Sequence, residues 1–223
     1  MHIFVRKTEH TKIGRPALEY QIFCSYPNSV TSIHDKLIRL IRTTTDFNDT
    51  DCLRCERYFE PLSAPRNTVL EESGKIPKYL YFIGSGYLRL WYTDERGEEI
   101  TTHINCPPGF FTSYSAFTDR RPAPDFVSTI TPCELLRITH ADLNRFFEES
   151  PAMKSFGFYV FQEAIRYNEN RSRELAVLTA GERYRRLMDE YPGILLNVPV
   201  QYITSFLGIK PESLSRIRRT FIP

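Results

Sequence analysis

The sequence predicts an α+β chain: an antiparallel β body flanked by helices, then a long helix, then a helix, tight turn and helix at the C-terminus. Three observations predict it. From Thr68 to Ile138 apolar residues follow strand periodicity, broken by glycine and proline turn signals about every 8–12 residues. From Pro151 to Leu178 the apolar spacing becomes helical and no further proline interrupts it. Near the end, Pro199, Gly208 and Pro211 punctuate a short apolar pattern at the positions where helices start and stop.

Residues 1–30 mix Arg, Lys and His with short apolar runs, and Gly14, Pro16 and Pro27 break them. No period survives, so this N-terminal extension is left unassigned. Leu37, Ile38, Leu40 and Ile41 then predict a helix over His34 to Arg42, and a second follows from about Asp49 to Phe59. Cys52 and Cys55 stand on that second helix as a C-x-x-C pair. A structural zinc site needs a second pair or histidine partners, and an iron–sulfur cluster needs four thiolates, so no metal site is assigned and the cofactor expectation is none.

Tyr79–Ile83 and Tyr87–Tyr92, joined by Gly84-Ser85-Gly86, read as two strands rich in aromatic and β-branched residues. Glu99 to Ile104 is a third, and Phe126 to Ile130 and Cys133 to Ile138 follow a Pro107-Pro108-Gly109 break. Such a series means a sandwich, a barrel or a β-roll. Thr139 with Asp142 marks a helix start, and that helix stops before Pro151. The next spans about 42 Å at about 1.5 Å per residue, more than one small core covers. Its stripe of Phe156, Val160, Ala164, Tyr167 and Leu175 is the expected dimerisation face. Thr179-Ala180-Gly181-Glu182 is a capping box that restarts the chain, placing a boundary near residue 178.

In the last stretch Ile203, Leu207, Ile209, Leu214 and Ile217 can face one another across the turn. Glu212, Ser213, Ser215, Arg216 and Arg219 are left largely outside. That face has the chemistry of a DNA contact, because hydroxyls suit phosphates and arginine forks onto guanine in the major groove. Residues 179–223 hold seven Lys/Arg against four Asp/Glu, whereas the whole chain of 223 residues is nearly neutral at +2. Any polyanion footprint is therefore local. No apolar run reaches the roughly 20 residues that span a bilayer, no signal-peptide core is visible, and five cysteines are an odd number, so the expectation is a cytoplasmic protein with reduced thiols and no membrane partner. A metal-dependent β-roll enzyme would need several histidines, and only His103 falls in the predicted roll, so no enzyme activity is expected.

Three stretches carry a family resemblance: Tyr81 to Arg89, Cys133 to Ile138, and Gln201 to Ile209 together with Glu212 to Arg216. In this order they resemble the Crp/Fnr family of bacterial transcription regulators, from about residue 31 to the C-terminus. The resemblance implies a jelly-roll-like β-roll effector domain at 31–150, a dimerisation helix at 151–178 and a winged-helix-type helix-turn-helix at 179–223. It implies a homodimer on a palindromic operator of double-stranded DNA, and a contact with RNA polymerase if the protein activates. Contact residues carried over or adjacent are Gln201, Glu212, Ser213, Ser215, Arg216, Arg218 and Arg219, with Glu212, Ser215 and Arg216 as base readers. The cyclic-nucleotide pattern is missing: Thr112 and Ser113 replace the ribose-binding Gly-Glu pair, and Ala123 and Pro124 replace the Arg-Ser/Thr pair for the phosphate. Response to cAMP is therefore not expected, since a buried phosphate diester would lose its charge-assisted bonds. Phe111, Thr112, Ser113, Arg120, Arg121 and Phe126 are the candidate pocket for an unknown effector. The competing reading is a small-molecule-binding or protein-interaction β-roll without specific DNA binding.

Overall fold

A computed structural model describes residues 32–221, so the expectation for residues 1–30 lies outside the described part. Helix α1 (Ile33–Arg42) and helix α2 (Asp49–Tyr58) each begin with a reciprocal capping box, Ser32 with Asp35 and Asn48 with Asp51. Each box satisfies two donors that a helix start leaves without partners.

The β body has eight strands: β1 (Glu60–Ala64), β2 (Val69–Glu71), β3 (Tyr79–Ser85), β4 (Leu88–Thr93), β5 (Glu99–Asn105), β6 (Gly109–Phe111), β7 (Phe126–Thr129) and β8 (Cys133–Thr139). They form two antiparallel sheets, ordered β1-β8-β3-β6 and β2-β7-β4-β5. Between the sheets pack Tyr81, Ile83, Leu88, Leu90, Phe111, Val127 and Leu135. Side chains one residue out of step, Leu80, Phe82, Leu136 and Ile138, turn to the other side and meet the helices. Both faces of β3 are thus covered, which is why it reads as a continuous apolar run. Strands β1, β2 and β6 were not anticipated: β2 and β6, of three residues each, are too short to show a period, and Pro61 interrupts the pattern of β1.

After the short helix α3 (Tyr114–Asp119) and strands β7 and β8, Thr139 accepts from the Asp142 amide at 3.1 Å and opens helix α4 (His140–Glu149). Helix α5 (Pro151–Val177) follows, with Ser150 as its cap and Pro151 in its first turn. Here one expectation is corrected. Phe156, Val160 and Ala164 are at most 4% exposed and pack, with Tyr167 behind them, into the core the helices share with β3 and β8. The stripe is the helix's inner face, not a free dimerisation face, because covering the outer side of the first sheet already consumes it. Leu175 alone of the five stays half exposed. Gly157 belongs to this packing: a Cβ there would stand 2.5 Å from the Phe147 ring of α4.

The C-terminal part is helical throughout: α6 (Ala180–Glu190), α7 (Pro192–Asn197), α8 (Val200–Leu207) and α9 (Pro211–Phe221). Among the described residues no strand follows Thr139, so these residues hold no wing. These helices close over Leu187, Ile194, Ile203, Phe206 and Leu214, and the same core takes in Ile104 and Ile130 from the roll. Helix α8 lies along β5, the edge of the second sheet, where the Thr101 amide donates to Ser205 Oγ at 2.8 Å. That edge donor would otherwise be a template for strand pairing.

Candidate nucleic-acid interface and the roll interior

Gly208 ends α8 in the left-handed region at φ 66°, and its amide caps Thr204 and Ser205 carbonyls. Pro211 then starts α9. Leu214 is buried against α8, and Ile209 and Ile217 flank it. This fixes the rotation of α9. Glu212, Ser215, Arg216 and Arg219 are all exposed and fall at steps of three, one and three residues, so they share one outward face. Ser213 is half-buried and receives a hydrogen bond from Arg216 Nη2 at 3.4 Å, while Gln201 is exposed in the first turn of α8. Arg218 departs from expectation. Its guanidinium lies over the Tyr184 ring and Nε donates to the Tyr184 hydroxyl at 3.2 Å, so it braces α9 against α6.

Two arginines that no local sequence signal singles out hold α8 from behind. Arg183 Nε donates to Leu207 O at 3.1 Å and Arg171 Nη2 donates to Phe206 O. Both sit where the last carbonyls of α8 lack intrahelical partners and the helix dipole is negative. A third, Arg89 of β4, is 5% exposed, pairs with Glu99 at 2.5 Å, and is sandwiched between the rings of Trp91 (4.5 Å) and Tyr202 (3.9 Å). Arg89, Trp91, Ser205 and Tyr202 thus join the roll to α8. Their convergence depends on a contact more than 100 residues apart in sequence, which no local signal reveals.

The candidate effector residues do not converge on a pocket. Phe111 and Thr112 are fully buried, Phe111 between the sheets and Thr112 donating to Tyr79 O at 2.9 Å. Ser113 donates weakly to Asp125 at 3.5 Å, and burial raises the Asp125 carboxyl above its ordinary range. Arg120 donates to Pro77 O at 2.8 Å and Arg121 pairs with Asp119 at 3.2 Å on the surface, so neither aims between the sheets. Phe126 is on the outer face of the second sheet, directly opposite Trp91, with ring centroids 4.3 Å apart. It is therefore no part of the interior, because strand alternation turns Val127 inward instead. The buried carboxylate of Glu71 accepts from the Lys78 and Tyr79 amides and from the Tyr81 hydroxyl at 2.9 Å, spending its acceptors on the roll itself.

Cys55 is fully buried and its thiol is pushed up by burial, as is the half-buried Cys52, which accepts from Arg42 at 3.3 Å. Among the described residues no three His, Cys, Asp or Glu side chains gather to hold a metal ion, and no helix is long and apolar enough to cross a membrane.

The roll defines a class: residues 61–150 match the cyclic nucleotide-binding domain family. Solved structures that share the fold of most of the chain are Crp/Fnr-type regulators. FixK2 from Bradyrhizobium japonicum is 15% identical over 73% of this chain and 83% of its own, with a TM-score of 0.64. The c-di-GMP responsive regulator CLP from Xanthomonas campestris is 18% identical over 78% and 91%, with a TM-score of 0.59. A putative crp/fnr family regulator from Eubacterium rectale is 15% identical over 79% and 84%, with a TM-score of 0.61. No curated protein sequence matches the chain.

Proposed function

We propose that the chain is a sequence-specific, DNA-binding transcription regulator of the Crp/Fnr type that acts as a homodimer, without enzymatic activity and without response to cAMP. The observation that carries this reading is the outward face of α9, where Glu212, Ser215, Arg216 and Arg219 stand exposed on a helix whose rotation is fixed by Leu214 and Arg218. A carboxylate accepts from cytosine N4, a guanidinium forks onto guanine, and a major groove admits one helix. The reading places the protein in the cytoplasm, with RNA polymerase as a further partner if it activates.

The outer face of α5 supports the dimer. Phe158 (67% exposed), Phe161, Ile165 (59% exposed), Ser172 and Leu175 share one side of the helix at three- and four-residue steps, the spacing of a coiled-coil seam, with Asn168 between them turned to His103. Insensitivity to cAMP is supported by the filled space between the sheets and by the outward turn of Arg120 and Arg121.

The test is binding to duplexes carrying inverted half-sites about one helical turn apart, with affinity falling steeply as salt rises. Arg216→Ala is expected to cost about 1–3 kcal/mol and relax discrimination at one base position, whereas Arg219→Ala weakens all sequences alike. Absence of binding to every duplex at low salt refutes the reading. Equal losses from both substitutions on all sequences remove base reading from Arg216. Addition of cAMP is expected to leave the melting temperature unchanged, and a concentration-dependent rise would show that it binds.

A further inference from the structure

Behind α8 lies a cavity of about 280 Å³ whose walls come from α5, α6, α7 and α8. Its lining combines apolar and aromatic side chains, among them Leu187, Ile194, Phe206, Tyr167 and Tyr191, with guanidinium and carboxylate groups. The charges do not cancel. Four arginines face three glutamates. Arg186 is held by Glu174 at 3.1 Å and Glu190 at 2.7 Å, and Arg166 is held by Glu163. Arg183 is left to neutral carbonyls, while Arg171 lies over the Phe206 ring at 4.0 Å, donates to Phe206 O and has only a long ion pair with Glu174 at 3.9 Å. The Arg171 side chain is only 10% exposed, yet its buried Nε has no hydrogen-bond partner. Leaving a buried charged donor unsatisfied is costly, and an acceptor brought from outside removes that cost. Burial lowers the Arg171 pKa against the opposing influence of Tyr167 and Glu174, and an anion placed beside the guanidinium would act in the same sense as Glu174.

We propose that this cavity binds a small organic anion, a carboxylate or a phosphate monoester carrying a flat apolar group, with Arg171 and Arg183 receiving the oxyanion and Tyr167, Tyr191 and Phe206 enclosing the apolar part. The volume is at the lower end of the range of ligand pockets, so the body is of the size of a single ring. The lining residues of α5 lie on the side of that helix away from Phe158, Phe161 and Ile165, so a dimer seam there leaves the cavity open. A ligand in it touches both the long helix and the C-terminal helices. The site does not depend on the DNA-binding reading, because ligand binding is measured directly.

The experiment titrates the full chain calorimetrically with benzoate, phenyl phosphate and the neutral isostere benzamide. At least one anion is expected to saturate, with benzamide at least about tenfold weaker, since a hydrogen bond to a charged group contributes about 1.5–3 kcal/mol. Which anion binds tighter tells a carboxylate ligand from a phosphate ester. Arg171→Gln and Arg183→Gln are expected to weaken it about tenfold to a hundredfold, and Arg145→Gln, on the exposed side of α4, to leave it unchanged. The proposal is overturned if neither anion saturates by about 10 mM, or if benzamide binds the unsubstituted chain as well as the anions do. It is also overturned if both substitutions keep full affinity. The anion and isostere comparison needs no variant and holds even if a substituted chain fails to fold.

Discussion

Replacing Arg89 by methionine tests how the C-terminal helices are held on the roll. The substitution keeps an apolar stem of similar length and removes the charge that pairs with Glu99 at 2.5 Å and lies between Trp91 and Tyr202. Glu99 is 48% exposed, so solvent screening brings that ion pair down to about 1 kcal/mol. Each ring contact of a largely desolvated guanidinium adds about 1 kcal/mol. The sum is about 3 kcal/mol, of which about 1 kcal/mol belongs to the contact with Tyr202. Urea unfolding of the single variants Arg89→Met and Tyr202→Leu and of the double variant isolates that share as a coupling energy. A coupling within about 0.3–0.5 kcal/mol of zero is indistinguishable from additivity and would refute the direct contact between the two bodies.

Gly86→Ala is expected to destabilise the fold by about 3 kcal/mol, combining a φ of +89° with a Cβ 2.4 Å from Pro132 O. Gly97→Ala has a similar φ of +82° but nothing within 4 Å, so it should cost about 1–2 kcal/mol, and equal shifts in urea midpoint would deny the clash. His103 is held neutral by burial, its pKa pushed from 6.5 to about 3 against the opposing hydrogen bond with Asn168. The unfolded chain binds a proton in that window and the folded chain does not, so stability is complete above pH 6.5 and falls as pH drops towards 3, by at most about 1.4 kcal/mol per pH unit. His103→Gln should flatten urea-derived stability over that range, and an unchanged slope would assign it to other groups. Phe158→Asp is expected to convert a dimer into monomers by light scattering without lowering the melting temperature of the roll, because its side chain is 67% exposed. Retention of the dimer would move the seam elsewhere.

Much was legible where a residue's local role and its tertiary role coincide. Thr139 and Thr179 cap helices because capping is a matter of three or four consecutive residues, and Gly208 ends α8 for the same reason. Strands β3, β4, β5, β7 and β8 announced themselves by composition and turns. Period alone misassigned α5, since an apolar stripe records that one side of a helix is covered and not by which chain. Phe156, Val160 and Ala164 are covered by their own roll, and the face left over, Phe158 and Ile165, is the weaker stripe in sequence. Phe126 was likewise placed on the wrong face of its strand, where one residue of register separates interior from exterior.

The sequence by itself determined where α1, α2, α4, α5, α6, α8 and α9 begin or end, and which polar residues of α9 share a face, because capping, turn chemistry and helical spacing act over a few residues. Only the tertiary structure decided what those faces meet. It turned Arg218 onto Tyr184, closed Arg89 between Trp91 and Tyr202, filled the space between the sheets with Tyr81 and Phe111, and gathered Arg171 and Arg183 behind α8. These contacts join residues far apart in the chain, and their energy comes from desolvation and partner geometry that exist only once the chain has closed on itself.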